Sequence, residues 1–452
     1  YKDKKLKKPC NVVVVGGGTA GLEAACTAAE VGCATVLIEK SGELGGLARR
    51  VGKMPNKQRL GYFPQYLERR AMKLKNLFIC KNTEASIEFI EGFKPDIVVN
   101  ATGSVPLLPN IPGLKENLEA GNVSTIFDLV DHVDSYPEDL SGKKVVVIGG
   151  GNVAIDVART STRVGDYNVS MFCLEDRANM PASEEEIEEA VEEGVKLDCG
   201  WGPKEILTEN GKVTGIVLKR CTSVKDADGR FNPQYDENDT KTVKCSHVFL
   251  SIGQTTIWGD LLKGTKVEID GVRVKADKLT YQTTDPDVFI GGDVYTGPRF
   301  AIDAIAAGKE AAISIHRYVQ PHSSLTIGRN RRDFIELDKN NIKVESYDNS
   351  SRQIPGTDNS FDHKKSFRDA KLTFTEEQVK AETARCLGCG ASVVDPNKCI
   401  GCGICTTKCE FDAIHLNRDL PECSTMRKSE DKLKYILPYG AKQAINIKFK
   451  KK

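Results

Sequence analysis

The 452-residue sequence contains no long hydrophobic run. Its longest apolar stretches, such as Val12–Val15 and Val145–Ile148, are much shorter than the roughly 20 residues that cross a bilayer, and no signal-peptide pattern is present. An excess of charge of one sign is also lacking, because 64 Lys and Arg oppose 63 Asp and Glu and leave a net charge of +1. We therefore expect neither membrane insertion nor nucleic-acid binding, and a cytoplasmic location.

No arrangement typical of acid–base or nucleophilic catalysis is present, and we predict no catalytic side chain. The histidines occur in no nucleophile or metal spacing, and they are His132, His247, His316, His322, His363 and His415. The sequence begins at Tyr1 rather than at a methionine, and whether a preceding domain is missing stays open.

The distribution of the 15 cysteines argues against a disulfide scaffold. Eight are scattered over the first 385 residues, as is usual for buried small side chains in a large α/β protein. The other seven are crowded near the C-terminus, which favours a metal site. We predict these seven as ligands: Cys386, Cys389, Cys399, Cys402, Cys405, Cys409 and Cys423.

A glycine-rich turn follows the first predicted strand, Asn11–Val15, and opens a helix predicted over Thr19–Val31. The residues of this turn, with the acidic residue after the next strand, are Gly16, Gly18, Gly21 and Glu39. The first glycine permits a tight turn, the second lets the backbone approach a pyrophosphate, and the third lets the helix pack closely. The carboxylate can accept hydrogen bonds from ribose hydroxyls, so the sequence predicts a dinucleotide site.

A second unit of the same kind begins with the predicted strand Lys144–Ile148. Its turn, Gly149-x-Gly151-x-x-Ala154, opens a helix predicted over Asn152–Val164. Two such units in one chain predict two dinucleotides that face each other. No Cys-x-x-Cys lies between the units, so a thiol–disulfide reductase is not predicted and electrons need another exit.

Three short motifs resemble the FAD motifs of the flavoproteins with two dinucleotide-binding domains. They follow the first unit in the expected order, and their residues are Gly45 and Gly46, Thr102 and Gly103, and Gly292 and Asp293. The resemblance implies that Asp293 contacts the ribityl chain. It also implies that the next helix, predicted over Ala301–Ile315, directs its N-terminus, at Ala301, toward the flavin.

The second unit resembles the glutamate synthase small-subunit family. The motifs that carry this resemblance are Gly149 to Asp156, Met180-Pro181-Ala182, Glu193-Gly194-Val195, Ser251-Ile252-Gly253-Gln254 and Thr296-Gly297-Pro298. It implies that the nicotinamide nucleotide is bound by Gly149, Gly151, Asn152, Val153, Ala154, Gly253 and Gln254. The first hundred residues are equally similar to the C-terminal half of old-yellow-enzyme-type enoate and dienoyl-CoA reductases.

One departure from this family bears on the choice of nucleotide. Where the family has paired arginines that hold the 2′-phosphate of NADPH, this sequence has Leu174-Glu175. A carboxylate there can bond free ribose hydroxyls but repels a phosphate. We therefore predict that Glu175 favours NADH, and NADPH stays the alternative because Arg177 is close in sequence.

The C-terminal run Cys399-x-x-Cys402-x-x-Cys405-x-x-x-Cys409 has the spacing of bacterial ferredoxins, which hold a [4Fe–4S] cluster. Structural zinc is the rival, although this spacing is unusual for zinc. One or two clusters are possible. Cys386, Cys389 and Cys409 could hold a second cluster with Cys423 or with a ligand other than cysteine.

The predicted fold class is α/β, with two Rossmann-like dinucleotide-binding domains and a small C-terminal ferredoxin-like iron–sulfur domain. The NAD domain is inserted in the FAD domain. The predicted divisions are 1–115 and 278–320 for the two parts of the FAD domain, 116–277 for the NAD domain, 321–380 for a linker strap and helix, and 381–452 for the iron–sulfur domain.

Together these features predict an enzyme, an NADH-dependent flavoprotein that passes electrons from nicotinamide through FAD to [4Fe–4S] and then to a partner. The expected partner, within a hetero-oligomeric complex, is a ferredoxin or a reductase subunit or domain, with FMN-containing reductases among the candidates. Three alternatives stay open: a subunit of a flavin-bifurcating NAD(P)H–ferredoxin complex, an NADPH-dependent glutamate-synthase-like small subunit, and a non-catalytic assembly subunit.

Overall fold

The computed structural model describes residues 5–133, 142–164, 168–320, 350–386, 399–408, 414–416 and 429–450. By its internal contacts the chain divides into two units. The first comprises Tyr1–Ile327 with Ser350–Ala384, and the second comprises Gly328–Asn349 with Arg385–Lys452. Among the described residues, no helix combines the length and the apolar character that a membrane crossing requires.

The first sheet has five parallel strands, as expected for β-branched runs that are buried on both faces. In sheet order they are Val288–Ile290, Ile97–Asn100, Asn11–Val15, Ala34–Ile38 and Leu77–Cys80. The helices of this part of the chain are Thr19–Glu30, Gly46–Val51, Tyr62–Met72, Ile87–Gly92, Asp293–Thr296 and Ala301–Val319. A short 3-10 helix spans Gln58–Gly61.

The second sheet repeats this arrangement with five parallel strands of its own. In sheet order they are Val123–Thr125, His247–Leu250, Lys144–Ile148, Asn168–Cys173 and Lys196–Cys199. Its helices are Leu114–Glu119, Ile126–Asp131, Asn152–Arg163 and Glu184–Glu192, with a 3-10 helix at Arg177–Asn179. This sheet lies in sequence between two strands of the first sheet, so one nucleotide-binding domain is inserted in the other.

An antiparallel sheet extends from the second domain. Its three strands are Trp201–Glu209, Lys212–Lys225 and Phe231–Lys244. Two further pairs of short strands are Val105–Pro106 with Gln254–Thr255 and Ile269–Asp270 with Arg273–Val274.

The polar segment 350–374, called the strap below, contains an isolated antiparallel bridge between Thr357 and Lys371 and a 3-10 helix, His363–Lys365. The helix Glu376–Ala384 follows it. In the second unit the described elements are the helices Ile404–Lys408 and Lys432–Lys450 and the 3-10 helix Ser429–Asp431.

The predicted fold class is confirmed: two Rossmann-like domains with parallel sheets precede a C-terminal cysteine-rich module. Element ends differ from prediction in detail. The helix predicted over Ala301–Ile315 continues to Val319, and in the added turn only His316 is buried. The exact divisions between domains stay a prediction.

Candidate functional site

The first glycine turn lies at the carboxyl edge of the first sheet, between the central strand and the helix Thr19–Glu30. Gly16 has a φ of +103°, and a Cβ there would overlap the carbonyl oxygen of Ala101. A Cβ at Gly21 would overlap the carbonyl oxygen of Gly16 itself. At Gly18, by contrast, an added Cβ would meet no described atom within 4 Å. Two of the three glycines are therefore required by packing, and the middle one leaves open space at the start of the helix.

The carboxylate of Glu39 is fixed beside this turn. Its Oε2 accepts a hydrogen bond of 2.6 Å from the backbone N–H of Gly17, and its Oε1 accepts one of 2.8 Å from Ser41. The Gly45–Gly46 loop lies against the same turn. Gly45 donates to the carbonyl oxygen of Gly17 at 2.8 Å, and a Cβ at Gly46 would be 2.9 Å from the Cα of Gly18. Both glycines have positive φ, which explains the residue type.

The late Gly-Asp pair also reaches this edge of the sheet. Gly292 has a φ of +78°, and a Cβ there would be 2.8 Å from the side chain of Ala20. Burial, helped by the charge of Asp303, raises the pKa of Asp293 to about 6. A backbone hydrogen bond at Arg299 opposes this rise. The helix Ala301–Val319 packs on the first helix through Gly308, where a Cβ would overlap the carbonyl oxygen of Ala20.

Asn100 ends the strand beside the first glycine turn, and sequence analysis did not single it out. Its side-chain Oδ1 is buried and has no hydrogen-bond partner among the described residues. A polar residue that closes the apolar run Ile97–Val99 was the available signal. Thr102 and Gly103 follow, and Gly103 has a φ of +74° with open space around its Cα.

These features fit FAD. The turn offers unobstructed backbone at Gly18, a fixed carboxylate at Glu39, and an orphaned buried acceptor at Asn100. A phosphate at the N-terminus of the helix Thr19–Glu30 would meet backbone N–H groups and the positive end of the helix dipole.

The second glycine turn repeats the first in detail. Gly149 has a φ of +145°, and a Cβ there would overlap the carbonyl oxygen of Ser251, whereas Gly151 has open space. The carboxylate of Glu175 lies over the turn, because a Cβ at Gly150 would be 2.6 Å from its Oε2. Glu175 thus occupies the position relative to its turn that Glu39 occupies in the first domain.

The other residues predicted at or near this turn differ in what their side chains contact. Asn152 uses its side-chain oxygen to accept a 2.8 Å hydrogen bond from the backbone of Ser183, so it holds the loop after Met180-Pro181-Ala182. Val153 is 38% exposed and faces the open side of the turn. Ala154 is fully buried against the turn, so its contact is with the protein. Arg177 is exposed and forms a two-bond ion pair with Glu184.

The two domains meet where the first-sheet segment after Gly103 pairs with the motif Gly253-Gln254. The strands Val105–Pro106 and Gln254–Thr255 are hydrogen-bonded, and Leu107 donates to the carbonyl oxygen of Gly253 at 3.0 Å. The Ser104 hydroxyl donates to the side-chain oxygen of Gln254. Ser104 was not predicted, and no signal in the sequence marks it.

The described part of the cysteine-rich module contains Cys386, Cys399, Cys402 and Cys405, all exposed and with free thiols. Within the described residues, no three or more potential ligands are grouped in a metal-binding arrangement. Gly401 and Gly403 have φ values of +67° and +74°, which lets the chain turn sharply between the thiols. The donor set is thiolate only, which suits an iron–sulfur cluster. Cys389, Cys409 and Cys423 lie outside the described residues.

Three family models match the chain. The model described as pyridine nucleotide-disulphide oxidoreductase matches residues 73–308, and the model described as FAD dependent oxidoreductase matches residues 11–66. The third, described as 4Fe-4S binding domain, matches residues 392–415.

Two curated proteins and one solved structure illustrate the likeness. The β subunit of the NADP(+)-dependent formate dehydrogenase of Moorella thermoacetica is 29% identical over 396 residues, which are 84% of this chain and 54% of that protein. The chain therefore spans about half the length of that relative. A putative glutamate synthase [NADPH] small chain of Cereibacter sphaeroides is 30% identical over 323 residues, 68% of this chain and 77% of that protein.

The solved structure is the thioredoxin reductase of T. acidophilum. It covers 69% of this chain and 98% of its own length, with a TM-score of 0.53 and 21% sequence identity. This likeness shows the fold alone.

Proposed function

The chain belongs to the pyridine nucleotide-disulphide oxidoreductase family, and on that premise we propose that it is an NADH-oxidising module that delivers electrons through a [4Fe–4S] cluster to a protein partner. Family membership makes it an NAD(P)H-dependent flavoprotein oxidoreductase with FAD and pyridine nucleotide sites and a 4Fe-4S domain. The nucleotide, the direction of electron flow and the partner are the parts that we propose.

The observation that carries the proposal is the pairing of two similar glycine turns, each with a carboxylate beside it, in domains that are hydrogen-bonded through Ser104 and Gln254. Dinucleotides bound at these turns would lie at the carboxyl edges of the two sheets. The junction at 102–106 and 253–255 is where we place the meeting of their reactive ends.

The first domain supplies the FAD site. Gly18 would admit the pyrophosphate, the Glu39 carboxylate would accept hydrogen bonds from ribose hydroxyls, and Asp293 would accept one from the ribityl chain. The N-terminus of the helix at Ala301 would favour negative charge on the ring. When bound, FAD supplies a two-electron acceptor for a nicotinamide hydride and a one-electron donor for an iron–sulfur cluster.

The second domain supplies the nicotinamide site, and Glu175 supports NADH. Its carboxylate lies within the turn, where it accepts from the free ribose hydroxyls of NADH and repels a 2′-phosphate. Arg177 was the residue that could favour NADPH, but its guanidinium is paired with Glu184. Both relatives named above carry NADP(+) or NADPH in their names, so this choice distinguishes the chain from them.

The cysteine-rich module supplies the exit for electrons. The thiolates of Cys399, Cys402 and Cys405 would hold the cluster, with Cys409 as the fourth residue of the ferredoxin spacing. Cys386, Cys389 and Cys423 are candidates for a second cluster. Because the formate dehydrogenase β subunit is 29% identical over 84% of this chain, we propose that the chain likewise works as a subunit and delivers electrons to a ferredoxin or a reductase partner.

Anaerobic titration of the purified, FAD-loaded chain with NADH and, separately, with NADPH tests the proposal. We expect NADH to bleach the flavin absorbance at much lower concentration than NADPH. Bleaching by NADPH alone would overturn the nucleotide assignment and favour an NADPH-dependent glutamate-synthase-like subunit. Bleaching by neither nucleotide would overturn the proposed function.

A further inference from the structure

We propose that the segment 46–61, called the crossing segment below, is a positioning device that holds the two nucleotide-binding domains in one orientation, with Lys57 as its central positioning residue. The inference rests on the proposed function, since it concerns how the two nucleotide sites are kept aligned. The segment starts at Gly46 of the first glycine site and runs to the 3-10 helix Gln58–Gly61.

The crossing segment belongs to the first domain by sequence but contributes to the core of the second. Met54 is 1% exposed and is buried in the same cluster as Leu129, Val147 and Ile155, all of which belong to the second domain. Val51 packs against this cluster as well. A core residue donated across a domain boundary fixes the position of the boundary, because close-packed cores tolerate little displacement.

Lys57 then places a positive charge among carboxylates of the second domain. Its Nζ lies 3.3 Å from Oδ1 of Asp156 and 2.8 Å from Oε1 of Glu186. All three side chains are largely buried, with relative exposures of 21%, 11% and 21%. A buried ion pair adds little net stability, but removing one partner leaves an uncompensated charge, so the pair specifies one arrangement.

Asp156 connects this charge cluster to the second nucleotide site. It lies on the helix Asn152–Arg163, two residues after Ala154 of the glycine turn. Arg159, one turn further on, pairs with Glu189 at 2.7 Å and with Glu193 at 2.7 Å. The crossing segment is thus continuous with the first glycine site at one end and bonded to the helix of the second at the other.

The strap 350–374 contacts both the crossing segment and the helix Asn152–Arg163. The carbonyl oxygen of Phe367 accepts from the side-chain amide of Gln58 at 2.7 Å and from the backbone of Asn56 at 3.4 Å. The neighbouring carbonyl oxygen of Ser366 accepts from Arg163 at 3.0 Å. Two adjacent strap residues therefore bind one domain each, and the Phe367 side chain packs on the core that contains Met54.

A hydride donor and acceptor must be held at a specific separation, and a displacement of about 1 Å costs on the order of 100-fold in rate. A loosened crossing segment should therefore slow hydride transfer while each nucleotide still binds its own domain. This separation of rate from affinity distinguishes a positioning role from a role in folding.

The test compares wild type with Lys57→Met, with the conservative Lys57→Arg, and with Lys275→Met as a matched control. Lys275 also forms an ion pair, with Glu268 at 2.9 Å, but belongs neither to the crossing segment nor to the helix Asn152–Arg163. We expect Lys57→Met to slow NADH-driven bleaching by about 10–100-fold. FAD content and NADH affinity should stay near wild type, Lys57→Arg should restore most of the rate, and Lys275→Met should be silent.

Amide hydrogen exchange provides a readout that needs no activity. We expect Lys57→Met to raise exchange in residues 46–61 and 152–163 and to leave the strands of the first sheet unchanged. Wild-type rate and wild-type exchange in Lys57→Met would overturn the inference. If the single variant does not fold, the double variant Lys57→Met/Asp156→Asn removes the lysine together with one of its two carboxylate partners. The rate and exchange measurements on this double variant then decide the question.

A failure of the proposed function gives a different result from a failure of the positioning role. If neither NADH nor NADPH bleaches the flavin of the wild-type protein, the proposed function is contradicted, and the exchange measurement alone then tests the positioning role. Wild-type bleaching with an unaffected Lys57→Met contradicts only the positioning role.

Discussion

At the scale of single residues, the glycines of each turn divide by what surrounds them. Gly16 and Gly21 face backbone oxygens so closely that no side chain fits, whereas Gly18 faces open space. The same contrast separates Gly149 from Gly151 in the second domain. Glycine at the first kind of position serves the fold, and glycine at the second kind serves the ligand.

This contrast predicts different outcomes for two alanine substitutions. Gly21→Ala should lower the free energy of unfolding of the flavin-free protein by about 1–3 kcal/mol, because the Cβ overlaps the Gly16 carbonyl. Gly18→Ala should leave that free energy nearly unchanged and weaken FAD binding by roughly tenfold or more, since the Cβ occupies pyrophosphate space. Urea denaturation and FAD fluorescence titration measure the two effects. Normal FAD affinity in Gly18→Ala would contradict the assignment.

Glu175 carries the prediction on nucleotide choice. Glu175→Gln keeps the side-chain shape but removes the charge that repels a 2′-phosphate, so the ratio of kcat/KM for NADPH to that for NADH should rise about 10–100-fold. Glu205→Gln, at an exposed position of the same domain, is the matched control and should leave the ratio unchanged. An unchanged ratio in Glu175→Gln would mean that another residue selects the nucleotide.

The identity of residues in the glycine turns could be predicted from sequence because spacing and residue type encode the turn directly. Which glycine is open and which is packed could not, since that depends on Ala101 and Ser251, which end other strands. Asn100 and Ser104 were missed because a single polar residue at or after a strand end carries no periodic signal; for Asn100 the end of the apolar run was the one indication.

At the scale of elements, strands such as Asn11–Val15 and Lys144–Ile148 were predictable because each is a short β-branched run followed by a glycine turn. The crossing segment was not. Lys57 is about 100 residues from Asp156 in sequence, and nothing in the spacing of either residue indicates the other. The ion pairs of the strap could not be predicted either, because their partners are far apart in sequence. Lys371, for example, pairs with Glu189 at 2.7 Å.

The strand His247–Leu250 yields a prediction on pH. Burial and, to a smaller extent, Lys143 lower the pKa of His247 from its ordinary 6.5 to about 4, against an opposing effect of Asp128. His247 is 3% exposed, and its Nε2 lies 3.1 Å from the Ser124 hydroxyl. Because the folded state disfavours the protonated ring, the free energy of unfolding has its full value above pH 6.5. It falls as the pH drops from 6.5 toward 4, by about 3 kcal/mol in total.

Urea denaturation between pH 7 and pH 4.5 checks this prediction. Wild type should lose stability steadily across this window, and His247→Gln should show a shallower loss. His132→Gln, at an exposed helix end, controls for removal of a histidine. Equal pH dependence in wild type and His247→Gln would show that His247 does not titrate as expected.

At the scale of the whole molecule, the cysteine-rich module should be separable from the flavin chemistry. Cys402→Ser should abolish or strongly reduce bound iron and acid-labile sulfide, because it removes a thiolate from the ferredoxin spacing. NADH should still bleach the flavin in this variant. Cys221→Ser, at a partly buried cysteine of the second domain, should keep its iron and serves as the control.

The result that would contradict this division is loss of flavin or of NADH-driven bleaching in Cys402→Ser together with the loss of iron. The sequence alone predicted this module from cysteine spacing, since ligand spacing is local. The number of clusters could not be derived, because seven cysteines cannot fill the eight positions that two clusters require.

The most direct test of the account is stepwise anaerobic reduction of the FAD-loaded, iron-reconstituted chain with NADH, followed by flavin absorbance and EPR. The account predicts that NADH bleaches the flavin and that the EPR signal of a reduced [4Fe–4S] cluster then appears. It would be contradicted if the flavin bleached completely while a cluster that dithionite can reduce gave no signal with NADH.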